Sequence, residues 1–157
     1  MNLHPLLVHF PIALLTFYAL FELLRFRKLL SDPNWFFIKA AFVILGSVSS
    51  AATFLSGYVI KGGFETTPAI TRLVETHQAY ALATCLVFGL IACVYAMKIM
   101  KRGESFTNMM LKPAVILPLA LIGLGLVTIT GGLGGAIVYG PDIDPFVKFI
   151  YQVLIAK

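Results

Sequence analysis

The chain has 157 residues, 59% of them apolar and only 12% charged, with a mean hydropathy of +0.92 and a formal net charge of +5 at pH 7. That balance lies outside the range of soluble domains, and the length holds about four spans of roughly 20 residues with no stretch left for a separate soluble domain. Backbone groups in hydrocarbon must be paired within their own segment, so apolar runs of this length read as helices rather than strands. The expected fold is an all-α integral membrane protein. It has a four-transmembrane-helix bundle over residues 1–140 and a short C-terminal interfacial helix within 141–157.

The first apolar run goes from about Leu3 to Leu24 and stops at Arg25, Arg27 and Lys28. It carries His4 and His9. Along one continuous helix His9 lies about 7.5 Å deeper than His4 and points about 140° away, so a straight helix cannot aim both rings at one partner. Pro11 is harmless in a first turn, but deeper in a helix it would strip Leu7 of a hydrogen bond and kink the axis. His9 stands between Val8 and Phe10, where an imidazole without a polar partner is costly. Glu22, near the far end of the span, is expected to reach Arg25 or the headgroups.

The second run extends from about Trp35 to Ile60 and stops at Lys61, Gly62 and Gly63. Gly46, Ser50, Thr53 and Gly57 recur along it at helical spacing and line one narrow face. The third covers about Ala79 to Met97, ends at Lys98, Lys101 and Arg102, and is opened by His77 in the segment Glu75 to Tyr80. Its Cys85 and Cys93 are separated by about 12 Å of helical rise, too far for a mutual disulfide, and read as packing residues. The fourth runs from about Pro113 to Tyr139, with Gly131, Gly132, Gly134 and Gly135 in its last third, and is closed by Gly140 and Pro141. In the tail, Asp144 and Pro145 start a helix with Phe146, Phe149, Ile150, Val153 and Leu154 on one face and Lys148 and Gln152 opposite. It is too short to span, and is expected to lie along the outer interface or dock on a partner subunit.

Lys and Arg set the expected topology. Arg25, Arg27, Lys28, Lys39, Lys98, Lys101, Arg102 and Lys112 collect on one side, and only Lys61, Arg72, Lys148 and Lys157 on the other. The positive-inside rule therefore puts both termini on the periplasmic face of a bacterial inner (cytoplasmic) membrane, crossed in multiple passes. The basic residues flank spans and form no separate patch, which argues against a nucleic-acid partner. The lipid bilayer is the first partner, and small-residue faces leave room for an oligomer.

With this topology the first and third spans both start at the outer face, which brings His4, His9 and His77 to comparable depth. An intramembrane histidine is costly to leave idle and marks a cofactor or proton path. Two neutral imidazoles from facing helices can be axial ligands of haem b, and no C-x-x-C-H is present to hold a covalent c-type haem. Porphyrin needs a flat slot, which the glycines of the second and fourth spans could supply at the same depth; ordinary small-residue helix packing, with Gly131 and Gly135 as a G-x-x-x-G pair, is the other reading. Glu65, Glu75, Asp142 and Asp144 fall on the outer side, where they face water. No nucleophile-plus-base set, phosphate loop or zinc motif is visible, so an independent hydrolytic enzyme is not expected.

The segment His4-Pro5-Leu6-Leu7-Val8-His9-Phe10-Pro11-Ile12-Ala13-Leu14 resembles the H-P-x-x-V-H-F-P-x-A-L opening of a bacterial membrane family, number 2231 among the domains of unknown function. Glu75-Thr76-His77-Gln78-Ala79 resembles that family's histidine at the third span, and the run from Thr130 to Gly140 its T-G-x-x-G-G-x-x-V-Y ending. The resemblance covers nearly the whole chain, apart from the added segment Pro141 to Lys157. It implies a four-helix unit similar in design to small b-type cytochromes, in some members joined to c-type cytochrome domains, and so a redox setting.

Three readings follow. In the leading one the chain is a haem b-binding subunit that passes electrons between a periplasmic redox partner, such as a c-type cytochrome, and the membrane. It acts as a non-catalytic part of an oxidoreductase complex, with quinone as a further guest. The cofactor-binding set is His9, His77, His4, Gly57, Gly131, Gly135 and Arg72. His77 is one axial ligand and either His9 or His4 the other: depth favours His4 and burial favours His9, which is preferred, with His4 then in support or contacting quinone. Arg72 or Lys61 would pair with propionates. In the second reading His4, His9 and His77 together hold bare copper, iron or zinc. In the third the chain is a structural anchor of a larger complex.

Overall fold

The structure, a computed structural model, describes residues 4–60, 63 and 67–156. Among the described residues eight α-helices follow one another: α1 (His4–Leu7), α2 (His9–Leu23), α3 (Arg27–Leu30), α4 (Pro33–Ile60), α5 (Pro68–Ile99), α6 (Glu104–Met110), α7 (Pro113–Tyr139) and α8 (Pro145–Leu154). No strand occurs among the described residues. Four segments are long and apolar enough to cross a membrane, namely α1 with α2, then α4, α5 and α7. They close into a ring in which α2 and α5 each pack on both α4 and α7.

Proline starts four of these helices, with an N-cap side chain ahead of it in three. Asp32 Oδ1 accepts from Asn34 N at 2.8 Å before α4, Thr67 Oγ1 from Ile70 N at 3.3 Å before α5, and Asp144 Oδ1 from Phe146 N and Val147 N at 2.8 and 2.9 Å before α8. Pro at the first helical position loses nothing, since its missing N–H has no partner there in any case, and the cap satisfies the next donors. At α5 this start signal corrects the expected boundary. The helix begins at Pro68, not near Ala79, so His77 stands about 13 Å along it and not at its opening.

The first span is divided at Val8, where Val8 N donates to His4 O at 3.1 Å and Ile12 N to Val8 O at 3.3 Å. Pro11 has no N–H for the Leu7 carbonyl, and the hydroxyl of Thr53 on α4 donates to that carbonyl instead, at 3.3 Å. A proline inside a membrane helix is tolerated when a neighbour satisfies the group it orphans, and here α4 does so.

The centre of the ring is apolar: Leu15, Val43, Phe88, Ile91, Ala120 and Val127 are buried there. Two glycines let the helices close. A Cβ on Gly46 would lie 2.5 Å from Leu15 Cδ2, and one on Gly123 2.6 Å from Phe88 Cζ. At the end away from the histidines lies a polar cluster. Glu22, 1% exposed, accepts from Lys39 Nζ at 2.9 Å, from Tyr18 OH at 3.1 Å and from Tyr95 OH. Glu22 thus reaches Lys39, inside α4, and not Arg25, which lies exposed beyond the end of α2.

Helix α8 lies back on its own chain. Val147 and Ile150 are buried with Leu73, Leu133, Ala136 and Ile155. Ile150 Cδ1 sits 2.6 Å from the place a Cβ on Gly132 would take, and Val147 Cγ2 3.4 Å from that of Gly135. The buried face is therefore the one bearing Val147 and Ile150. Phe146, Phe149 and Val153, which the sequence reading grouped with Ile150, are exposed.

Candidate functional site

A cavity of about 340 Å³ opens at the histidine end of the ring. All four spans line it: His4, His9 and Ile12 from the first, Ser50, Thr53 and Gly57 from α4, His77, Thr84 and Cys85 from α5, and Thr130, Gly131, Gly134 and Gly135 from α7. The wall is mostly apolar, with a few polar groups, the usual make-up of a small-molecule site. It brings together all three predicted histidines and three of the predicted glycines: Gly57, Gly131 and Gly135. Arg72 lies on the exposed surface of α5 and is not part of this wall, and Lys61 and Glu65 fall outside the described residues. Glu75 is exposed, Asp142 pairs with Lys148 at 2.9 Å on the surface, and Asp144 is occupied as the cap of α8.

Each ring is held through Nδ1. His77 Nδ1 is 3.1 Å from the Thr130 carbonyl, and His9 Nδ1 is 2.8 Å from the Pro5 carbonyl. A carbonyl only accepts, so in both rings Nδ1 carries a proton, and in the neutral ring Nε2 is then the nitrogen with the lone pair. His4 Nδ1 is 2.8 Å from Ser56 Oγ, whose own proton goes to the Thr53 carbonyl at 2.8 Å. With its proton on that carbonyl, Ser56 is an acceptor for His4 Nδ1. An Nδ1–H bonded to a fixed acceptor, with Nε2 as the basic nitrogen, is the arrangement that orients a histidine as a metal ligand.

The three rings are not equally placed. His4 and His77 are half-buried and line the cavity from opposite corners of the helix ring. His4 Cε1 lies 2.8 Å from the position a Cβ on Gly57 would take, and His77 Cε1 3.3 Å from that on Gly134. His9 is exposed and bonds within its own segment. Val8 keeps helical dihedrals (φ −62°, ψ −26°), so His9 falls on the face turned about 140° from His4, where the Pro5 carbonyl holds its ring. Among the described residues no three His, Cys, Asp or Glu side chains converge as a metal-binding group.

The glycines have separate tasks rather than one shared face. Gly57 and Gly134 make room for the imidazoles, Gly132 and Gly135 seat α8, and Gly46 admits Leu15. Gly131 has Ile12 Cδ1 4.0 Å from its Cβ position, so it lines the cavity without a close approach. Ser56 and Thr84 were not singled out from sequence. Ser56 is adjacent to Gly57 and one turn from Thr53, which was the signal available for it. Thr84 Oγ1 donates to the Tyr80 carbonyl at 2.8 Å and lies 3.2 Å from Thr130 Oγ1, tying α5 to α7 about two turns from His77.

Fold and cavity together define a multi-pass, four-helix membrane protein with a histidine-lined chamber at one end. Residues 1–144 match the family described as "Predicted membrane protein (DUF2231)", and the chain belongs to it. The match stops at Asp144, the residue that caps α8, so α8 itself lies beyond it. No curated protein and no solved structure matches the chain.

Proposed function

We propose that this chain is a haem b-binding subunit of a bacterial inner membrane, with the histidine end at the periplasmic face. There it exchanges electrons between a periplasmic partner, such as a c-type cytochrome, and the membrane. The observation that carries the reading is the pair His4 and His77: two imidazoles from different spans, each hydrogen-bonded at Nδ1, lining one mostly apolar chamber. The donor set fits haem iron, which takes basic imidazole nitrogens as axial ligands and, when bound, supplies a one-electron couple. His4 and His77 would hold the iron. Gly57 and Gly134 keep space for the rings, Ser56 and the Thr130 carbonyl hold their orientation, and the apolar wall keeps water out.

The tautomer also separates haem from an oxidised quinone. A neutral imidazole whose proton is already given away at Nδ1 cannot donate to a quinone carbonyl, but it can coordinate a metal. The bare-metal reading needs more donors than two. The excess of basic residues at the opposite end supports the orientation. A reduced-minus-oxidised optical spectrum of the purified chain, with iron and metal analysis on the same sample, tests the proposal. A haem b band with about one iron per chain is expected. Stoichiometric metal without porphyrin would select the metal reading, and neither would leave the structural anchor.

A further inference from the structure

The chamber is made from the same half-site used twice. His4 and Leu15 on the first span have the spacing of His77 and Phe88 on α5, and Gly46, Thr53 and Gly57 on α4 have the spacing of Gly123, Thr130 and Gly134 on α7. Contacts repeat with the spacing. Gly46 admits Leu15 as Gly123 admits Phe88, and Gly57 faces the Cε1 edge of His4 as Gly134 faces that of His77. The Thr130 carbonyl accepts from His77, and the Thr53 carbonyl is joined to His4 through the Ser56 hydroxyl.

Burial repeats in the same register. Pro11, Leu15, Tyr18 and Glu22 are buried on α2 where Thr84, Phe88, Ile91 and Tyr95 are buried on α5. Val43, Gly46 and Ser50 correspond likewise to Ala120, Gly123 and Val127. The first span and α5 run in one direction, α4 and α7 in the other, so the two helix pairs are parallel repeats about an axis along the membrane normal.

We infer that the chamber is a pseudo-two-fold site, in which each half, a histidine followed on the next helix by Thr-x-x-x-Gly, gives one equivalent ligand to opposite faces of a single planar, metal-centred guest. The inference rests on the haem reading and deepens it. A porphyrin iron offers two equivalent axial positions, which is what two related imidazoles on an axis can occupy. His9 falls outside the ligand set on this account, because its counterpart in the second half is Leu82, and both are exposed. The symmetry fails at the other end, where Glu22 hydrogen-bonds to its own counterpart Tyr95 and takes Lys39, whose counterpart position is Ile116. One end alone is therefore a symmetric site.

The test uses purified full-length chain carrying His4→Gly, His77→Gly or His9→Gly, with and without added imidazole, read by the coordination state of the haem spectrum. His4→Gly and His77→Gly should each convert six-coordinate to five-coordinate haem, imidazole should restore both, and His9→Gly should match the unsubstituted protein. Gly57→Ala and Gly134→Ala, which keep both ligands and helical content by circular dichroism, should each weaken haem retention on the order of 10-fold. Loss of one axial ligand in only one of the two histidine variants, or a His9→Gly variant behaving like them, would overturn the symmetric site while leaving haem binding intact. Absence of haem from the unsubstituted protein would defeat the reading beneath it.

Discussion

A carboxylate taken out of water is held only by what it binds, and Glu22 binds three donors from three helices. Removing one partner leaves a buried charge uncompensated, so Lys39→Ala should destabilise the bundle by about 3–5 kcal/mol. Lys148→Ala, which breaks an exposed pair with Asp142, should change stability by less than about 1 kcal/mol. Denaturant unfolding in detergent micelles measures both, and equal effects would contradict the buried network. Thr53→Val removes the donor that satisfies Leu7 below Pro11; a loss of about 1 kcal/mol is expected. Hydrogen exchange confined to the first two turns checks it. At this scale the sequence was informative about residue type and poor about partners. The cost of an idle His or Glu in hydrocarbon was legible, but Arg25 and Lys39 could not be ranked as partners of Glu22 without knowing which helix faces it. His9 lines the chamber as expected, but its exposure and its bond to the Pro5 carbonyl depend on which helix face meets α4, which a single span does not reveal.

Helix α8 shows what an amphipathic pattern does and does not fix. Asp144 and Pro145 mark its start, and the structure starts it there. Which of two neighbouring stripes is buried depends on the surface it meets, and Gly132 and Gly135 make a groove that takes Val147 and Ile150. Gly132→Leu should expel Ile150 and release α8. Cleavage by protease between residues 141 and 154 should then increase, with the four-span unit unaffected; unchanged protection would show that this groove does not seat the helix. The early start of α5 has a similar cause. Thr67 and Pro68 form a cap signal in a polar stretch, and the helix extends past the apolar run because its first turns carry Arg72 and Glu75 on exposed positions.

For the molecule as a whole, composition and length sufficed for the class, since 59% apolar residues in 157 positions permit little besides a helical bundle in lipid. The internal duplication was not legible at the residue level. His4-Pro5-Leu6 and His77-Gln78-Ala79 share one residue in three, and the shared spacing of a few glycines and threonines gains meaning only from the repeated contacts and burial that appear once the helices are packed. That duplication makes the central claim quantitative: two imidazoles, one from each helix pair, meet on one guest. The most direct measurement is pulsed electron paramagnetic resonance of the oxidised full-length protein with nitrogen-15 histidine. The account predicts couplings from two closely similar axial imidazoles, both lost when His4 and His77 are replaced together and both kept when His9 is replaced. A signal from a single histidine, or one that survives the double replacement, would contradict it.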